Sequence, residues 1–375
     1  MRLFRTLPVI VAGLMTLGTA VPASAAIVGV SRDTAIAALK EWNVIAFNNF
    51  DSQHHVEGRI LAGSLTTTNN FEAQAKNLYT SGQGTPMVTV VGNASIKNDN
   101  AKVQGSGSVI AVGGKLDTGP VGSGYVEGQN GTIKTGGAST ARIRNNTFTV
   151  QQNLGSDFTA TLASQASDVK QSLINLSANL KAVANTSNVT FEQTYNTNGN
   201  TSLTQNPKLT VTGTGLAVYN MSEFEFEGAD VQKNINFTLP SGATLVINVA
   251  GKDLSFTGKV NQFTNDENVI WNFYEAEKIN FAQQFSGTVL GVFSDITINN
   301  QGNVDGSVIG NNITQKAAEI HNQNYFQGNL SAIGTPPIVS TAPEPSTWAM
   351  LILGFGLVGA VMRRRDQRAL VIQAA

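Results

Sequence analysis

Apolar residues recur along this chain with two different periods. Leu162, Ala166, Val169, Leu173, Leu176, Leu180 and Val183 alternate spacings of four and three, which puts them in one stripe down a helix. The spacing predicts a helix over 158–184, with Ser156 or Asp157 as its cap and Asn185 at its end. The stripe is only about three heptads long and strand-like sequence flanks it, so docking on a sheet is expected rather than a coiled coil. A shorter helix is predicted over 31–42, capped by Ser31 or Asp33, with Ile36, Leu39 and Trp42 on one face. The remaining pattern is short and strand-like. Runs at 55–61, 87–91, 103–112 and 141–150 precede the long helix. Runs at 209–211, 216–221, 244–249, 254–256, 269–273, 288–292 and 304–309 follow it, punctuated by Gly213, Gly242, Gly251 and Gly287.

These runs carry a weak internal repeat. Val56-Glu57-Gly58-Arg59-Ile60-Leu61 parallels Val304-Asp305-Gly306-Ser307-Val308-Ile309, and Val103-Gln104-Gly105 and Val126-Glu127-Gly128 share the opening. Short strands, tight Gly/Asn turns and a recurring V-x-G predict stacked coils of a β-solenoid with one lateral α-helix. The irregular spacing leaves a β-sandwich as the alternative. Asn299-Asn300 and Asn311-Asn312 suit corners, where asparagine tolerates left-handed backbone.

The two ends read differently from the body. Arg2 and Arg5 precede an apolar run from Leu7 to Leu17, and small residues then lead to Ala23-Ser24-Ala25 and Ala26. That order predicts a signal peptide cleaved after Ala25, with Ala26 as the other candidate. At the far end Pro343-Glu344-Pro345 precedes an uncharged apolar stretch over 348–362, which Arg363, Arg364 and Arg365 close. The stretch is short for a span of about twenty residues, but arginines snorkel and bilayers thin, so a transmembrane helix is expected. The arginines place its end in the cytoplasm and the body outside the inner membrane. The expected parts are therefore a signal peptide (1–25), a body (26–335), a linker with the Pro-Glu-Pro motif (336–347), a transmembrane helix (348–362) and a basic cytoplasmic tail (363–375).

The tripartite end resembles the PEP-CTERM sorting signal of Gram-negative bacteria, over Pro343 to Arg365. The resemblance implies handling by an exosortase, a membrane cysteine protease-transpeptidase, and passage through the inner membrane to the cell surface or extracellular matrix. The tail Asp366 to Ala375 is somewhat long for that pattern.

Composition narrows the body's chemistry. Charged residues are 13% of the chain, about half the usual share. The formal net charge of −1 argues against nucleic acid as a partner. With no cysteine, thiol nucleophiles, disulfides and thiolate metal sites are excluded. Glu223, Glu225 and Glu227 alternate with Phe224 and Phe226, and on a strand would form a solvent-facing acidic row over buried phenylalanines. Glu275 and Glu277 read the same way, so no pair is assigned to glycoside hydrolysis. His54 and His55 are adjacent and on a strand would point to opposite faces, so they are not expected to share a metal. His321 is the third histidine, and a triad would need long-range convergence. Asp295, Asp305 and Asn303 are candidate oxygen ligands for calcium, but no EF-hand loop or nonapeptide array accompanies them. Gly105-Ser106-Gly107 and Gly213-Thr214-Gly215 look like nucleotide loops only superficially and are expected to be turns. No cofactor, metal or catalytic residue is therefore expected.

Thr210, Thr212 and Thr214 alternate on one run, and so do Thr147 and Thr149. A flat threonine face can order water, so an ice-binding-type solenoid is one alternative function. A polysaccharide-active β-helix enzyme is another.

The stretch WNVIAFNNFDSQHHVEGRILAG, from Trp42 to Gly63, resembles the opening of the choice-of-anchor A domain. LVINV at Leu245 to Val249, VIWNF at Val269 to Phe273, GTVL at Gly287 to Leu290, VDGSVI at Val304 to Ile309 and Glu319-Ile320-His321-Asn322 continue the likeness. It covers most of Trp42 to Leu330 and implies an adhesin-like, non-enzymatic solenoid with interchangeable anchors. Extracellular polysaccharide is the partner class expected for its Thr/Asn/Gln/Gly surface, with aromatic stacking where rings are exposed.

Overall fold

A computed structural model of the chain describes residues 30–333, apart from 70, 79–84, 121–123, 145–146, 194–205, 228–233, 300 and 324. The expected signal peptide with Ala23, Ala25 and Ala26 lies outside the described residues. So do Pro343, Glu344, Pro345, the apolar 348–362 stretch and Arg363 to Arg365. Among the described residues no helix is long and apolar enough to cross a membrane.

The body is a β-solenoid. One parallel ladder joins 21 strands. Its longest strands, such as Val44–Ser52, Ile60–Asn69, Thr288–Ile298 and Val308–Gln315, each turn a corner. Register breaks between Ala46 and Phe50 and between Gly291 and Asp295 mark where one flat run ends and the next begins. Three faces result. The first carries the amino-terminal halves of these strands and is covered by helices. The second carries their carboxy-terminal halves and is open. The third is built from two-residue strands such as His55–Val56, Glu72–Ala73, Val304–Asp305 and Ile320–His321.

Coil order does not follow chain order. Val44–Ser52 pairs in parallel with Ile60–Asn69 on one side and Val308–Gln315 on the other, so the first and last coils adjoin. From this seam the amino-terminal coils stack one way to Phe148–Gln151, and the carboxy-terminal coils stack the other way to Gly215–Met221. Helix α2 (Gly155–Lys181) carries the chain from one end to the other. Eleven strands about 4.8 Å apart make a stack about 48 Å tall. The 27 residues of α2, rising about 1.5 Å each, cover about 40 Å of it.

The predicted stripe is the buried side of α2. Leu173, Leu176 and Leu180 pack on Ile45, Leu61, Val218, Val246, Ile270, Leu290 and Ile309, which point outward from the first face. Helix α1 (Arg32–Glu41), capped by the Ser31 side chain at Thr34, adds Ala35, Ala38 and Leu39 to this second core. Phe326, Leu330 and Ile333 close over it. Arg32 donates to the carbonyls of Ser331 and Ile333, so both ends of the described chain lie together on the helix-covered face. The solenoid interior is separate, with Trp271, Phe256, Phe273, Phe281 and Phe285 all at most 2% exposed.

A polar ladder joins α2 to the sheet. Asn220, Asn248 and Asn272 stack in register. The Asn248 amide donates to Asn220 Oδ1, and the Asn272 amide to Asn248 Oδ1, each at 2.8 Å. The same amides reach the α2 carbonyls of Leu180 and Ser177 at 2.9 Å, and Ser177 Oγ–H returns a bond to Asn272 Oδ1 at 2.6 Å.

Several expectations need correction. The long helix starts at Gly155, three residues early, and its N-cap Leu154 makes no side-chain bond, so neither Ser156 nor Asp157 caps it. The runs predicted at 55–61, 103–112 and 304–309 are each two strands broken at a corner. Glu223–Glu227 is a single helical turn, α3, rather than a strand. Phe226 is buried and Phe224 is 49% exposed, so the expected buried phenylalanine row does not form. Thr210 lies in a separate three-stranded sheet, Val189–Glu192, Lys208–Val211 and Asn236–Thr238, so it cannot join a ladder on the solenoid. Thr147 precedes the strand Phe148–Gln151 and bonds the Gly128 amide. Gly105, Gly107, Gly213 and Gly215 all have positive φ; the first three lie in turns or bends, as expected, and Gly215 opens the strand Gly215–Met221.

Candidate functional site

The open face is a flat parallel sheet whose columns come from widely separated parts of the chain. Its inward column is Leu254, Ile279, Ile296, Ile313, Phe50, Leu65, Ala94 and Leu116, all buried. Side chains alternate along a strand, so the next column points out. It reads Ser255, Asn280, Thr297, Thr314, Asp51, Thr66, Ser95 and Asp117 across eight coils. A second outward column runs Asp253, Lys278, Asp295 and Asn312. Hydrogen bonds between coils hold parts of it in place, with Asn312 donating to Asp295 at 2.6 Å and Ser64 to Asn49 at 3.0 Å. Among the described residues α1 and α2 pack on the first face and leave this one uncovered by them, and Phe293, 53% exposed, stands at its rim. The arrangement offers a repeating row of hydroxyls, amides and carboxylates about 4.8 Å apart.

The threonines expected to line up, Thr210, Thr212 and Thr214, lie within one run, whereas the ladder that forms takes Thr66, Thr297 and Thr314 from three strands. The calcium candidates separate. Asp295 sits on this face against Asn311 and Asn312, while Asp305 is 5% exposed on the third face. Asn303 Oδ1 is occupied by the Glu319 amide.

The third face gathers what the open face lacks. All three histidines meet there around Glu319. His54 Nδ1 and His55 Nδ1 each lie 3.5 Å from Glu319 Oε1. His321 Nε2 lies 2.7 Å from Glu319 Oε2 and His321 Nδ1 2.6 Å from Asp305 Oδ1. The expectation that His54 and His55 diverge is thus corrected. His54 is at a bend rather than in a strand, so strand alternation does not apply, and the two rings stand 4.6 Å apart.

The hydrogen bond that His321 donates to Asp305, and then that to Glu319, pushes His321 up to about 9 against the cost of burial. The His321 hydrogen bond holds Glu319 below the usual carboxylate range. The folded state therefore binds the His321 proton more tightly than the unfolded chain. That stabilisation is complete below about pH 6.5 and is lost as pH rises through about 9. Glu319 acts oppositely, contributing above its unfolded value near 4.5 and failing as pH falls through its lower folded value. The His321–Glu319 pair therefore contributes most between about pH 4.5 and 6.5, and the His321 contribution declines towards pH 9 by on the order of 3 kcal/mol. His321→Gln should flatten the alkaline decline, and an unchanged pH profile in that variant would refute the assignment.

The acidic candidates are engaged separately. Glu225 accepts from Tyr219 Oη–H at 2.6 Å and from the Ser222 amide, and Glu227 accepts from the Ser255 amide. Glu275 accepts from the Gly251 amide and Glu277 pairs with Lys252 at 2.7 Å. A cavity of about 480 Å³ lies between α1, α2 and Thr89. Glu41 is the ionisable group among its described lining residues, and Arg59 holds it at 2.7 Å.

Comparison with known proteins adds two family matches. A family described as "Putative Ice-binding-like adhesive domain" matches residues 35–322. A "PEP-CTERM protein-sorting motif" matches residues 341–365, which include Pro343, Glu344, Pro345, Arg363, Arg364 and Arg365. No curated protein matches the chain. Among solved structures, an ice binding protein from an Antarctic bacterium, Flavobacteriaceae, aligns over 77% of this chain and 83% of its own, at 16% identity and a TM-score of 0.27. At that score the likeness carries no argument, and the solenoid rests on the strand register described above.

Proposed function

The chain belongs to the ice-binding-like adhesive domain family and carries a PEP-CTERM sorting motif. From that premise we propose that it is an exported, exosortase-handled surface or matrix adhesin without enzymatic activity, whose open face binds extracellular polysaccharide. The carrying observation is the outward column from Ser255 to Asp117, held in register across eight coils. Each neutral hydrogen bond there contributes about 1 kcal/mol or less, so adhesion is multivalent and only mildly salt-dependent. Phe293 supplies a stacking surface at the rim. The division into signal peptide, body, linker, membrane helix and basic tail belongs to the same reading, as does the narrower likeness to choice-of-anchor A proteins.

Ice is the second reading, favoured by Thr297, Thr314 and Thr66 on a flat face. Asp51 and Ser95 interrupt that row, which supports the polysaccharide reading over it. Inhibition of ice growth by the protein at micromolar concentration would reverse the order.

Sorting is tested in the producing cell. Glu344→Ala, or deletion of Arg363 to Arg365, should leave uncut protein in the inner membrane, because the motif and the basic cluster position the substrate for a membrane enzyme. Normal release of both variants on fractionation would rule out exosortase handling. Binding is tested by retention on the producer's matrix, scored together with release of reducing ends or unsaturated products.

A further inference from the structure

The histidine corner has the makings of a metal site. His54 and His55 come from the first coil and Glu319 from the last, and their ligand atoms all lie within 4.8 Å of one another. We propose that His54, His55 and Glu319 bind a divalent transition-metal ion of the zinc class, which staples the seam where the first and last coils adjoin.

Four observations carry this. First, both histidine Nδ1 atoms sit 3.5 Å from the same carboxylate oxygen, Glu319 Oε1. Two ligands each about 2.0–2.1 Å from a tetrahedral zinc ion lie about 3.3–3.4 Å from each other, so each histidine already stands near ligand spacing from Glu319 Oε1. Second, His54 Nδ1 is buried and makes no hydrogen bond, an orphaned polar atom turned towards the same oxygen. Third, the surroundings orient the ligands. His321 holds Glu319 Oε2 at 2.7 Å, leaving Oε1 to the histidines, and Asp305 in turn fixes His321 at 2.6 Å. Glu72 faces the far nitrogen of His55 at 3.6 Å. Carboxylates and hydrogen-bond partners behind metal ligands commonly set ring orientation in this way. Fourth, the three side chains are 29%, 31% and 32% exposed, so an ion can enter and water can take the fourth position.

Two imidazoles and one carboxylate select zinc, nickel or copper over calcium and magnesium, which take oxygen ligands. The physical consequence is local. Glu319 is far from both histidines in sequence, so the ion would close nearly the whole length of the body into one loop, at a point where backbone pairing is thin. On one side of the Ile320–His321 strand only Val56 pairs with Ile320, and on the other only Val304 and Asp305 pair with Ile320 and His321.

The test uses the full chain purified without a histidine tag, stripped with chelator and titrated with Zn²⁺ by calorimetry and thermal melting. The expected result is one ion per chain with a raised Tm, no such rise with Ca²⁺ or Mg²⁺, and the visible bands of tetrahedral Co²⁺ when Co²⁺ is the probe. His54→Gln and Glu319→Gln should each weaken binding at least tenfold. His321→Gln, which frees the carboxylate without removing a ligand, should weaken it about 10- to 100-fold. Saturable binding retained by a folded His54→Gln/His55→Gln variant would overturn the proposal. So would absence of one-to-one binding and of Co²⁺ bands in the unmutated chain, a result that leaves the corner a hydrogen-bonded charge network only and needs no variant to fold.

Discussion

Asn272→Leu is expected to lower the unfolding free energy by about 3–5 kcal/mol, although the two side chains are close in size. The Asn272 amide donates to Ser177 O and Asn248 Oδ1 and accepts from Ser177 Oγ, all in buried surroundings. Leucine leaves Ser177 Oγ and Asn248 Oδ1 buried without these partners, and each unsatisfied group costs about 1–3 kcal/mol. The loss is structural as well as energetic, because the ladder fixes the rotation of α2 on the sheet where Leu176 and Leu180 must dock. Urea unfolding gives the measurement, read as a shift in midpoint at unchanged slope. Ser177→Ala combined with Asn272→Leu should recover about 1–2 kcal/mol, since both members of one pair are then apolar. Asn280→Ala, on the open face, should cost less than about 1 kcal/mol. Equal losses at Asn272 and Asn280 would show that the ladder does not hold the helix.

The helix and its docking mode were legible because the apolar stripe from Leu162 to Val183 keeps a helical period over its whole length, which a strand with its period of two cannot produce. Its caps were not, because the turn into α2 uses Gly155 at φ +84 and backbone bonds to Thr135 and Gly136 instead of a capping side chain. Strands were found but run together at the corners. A solenoid strand stays half apolar on both sides of a bend, so alternation alone does not reveal the break at Gly58 or Gly306. A usable coil signal did exist. Gly92, Gly114 and Gly137 fall 22 and 23 residues apart. Their amides climb from coil to coil, Gly92 to Gly63 O at 2.7 Å, Gly114 to Gly92 O at 2.7 Å and Gly137 to Gly114 O at 2.9 Å. A Cβ on Gly114 would lie 2.8 Å from the Gly92 oxygen, so a side chain there would force the coils apart.

Neither the open face nor the histidine corner was legible, and for one shared reason. The chain returns to its own beginning at the seam, so Asp51 stands between Thr314 and Thr66, and His55 stands near Glu319. Columns assembled across that seam have no signature in local spacing. The helical turn at Glu223–Glu227 was missed because alternating Glu and Phe fits a strand as well as one turn, and Ser222, which bonds Glu225 and opens the turn, decides it.

The open face is proposed to hold polysaccharide and leave it intact. Thr66→Leu together with Thr314→Leu removes the two hydroxyls that flank Asp51 and adds bulk to a flat surface, while the inward column beneath is untouched. Two lost contacts and a lifted ligand are worth about 1.4–2.7 kcal/mol, or about 10- to 100-fold in affinity, and avidity along the polymer amplifies the effect. Gln171→Leu, on the exposed side of α2, serves as the control for added apolar surface. The deciding measurement is retention of these proteins on the producer's purified matrix polysaccharide, with reducing ends and unsaturated products assayed in the same tubes. Unmutated protein and Gln171→Leu are expected to be retained, the double variant to elute, and no tube to gain products. Retention of the double variant at the unmutated level, or products that vanish with Glu225→Gln or Glu275→Gln, would overturn polysaccharide binding without turnover at this face.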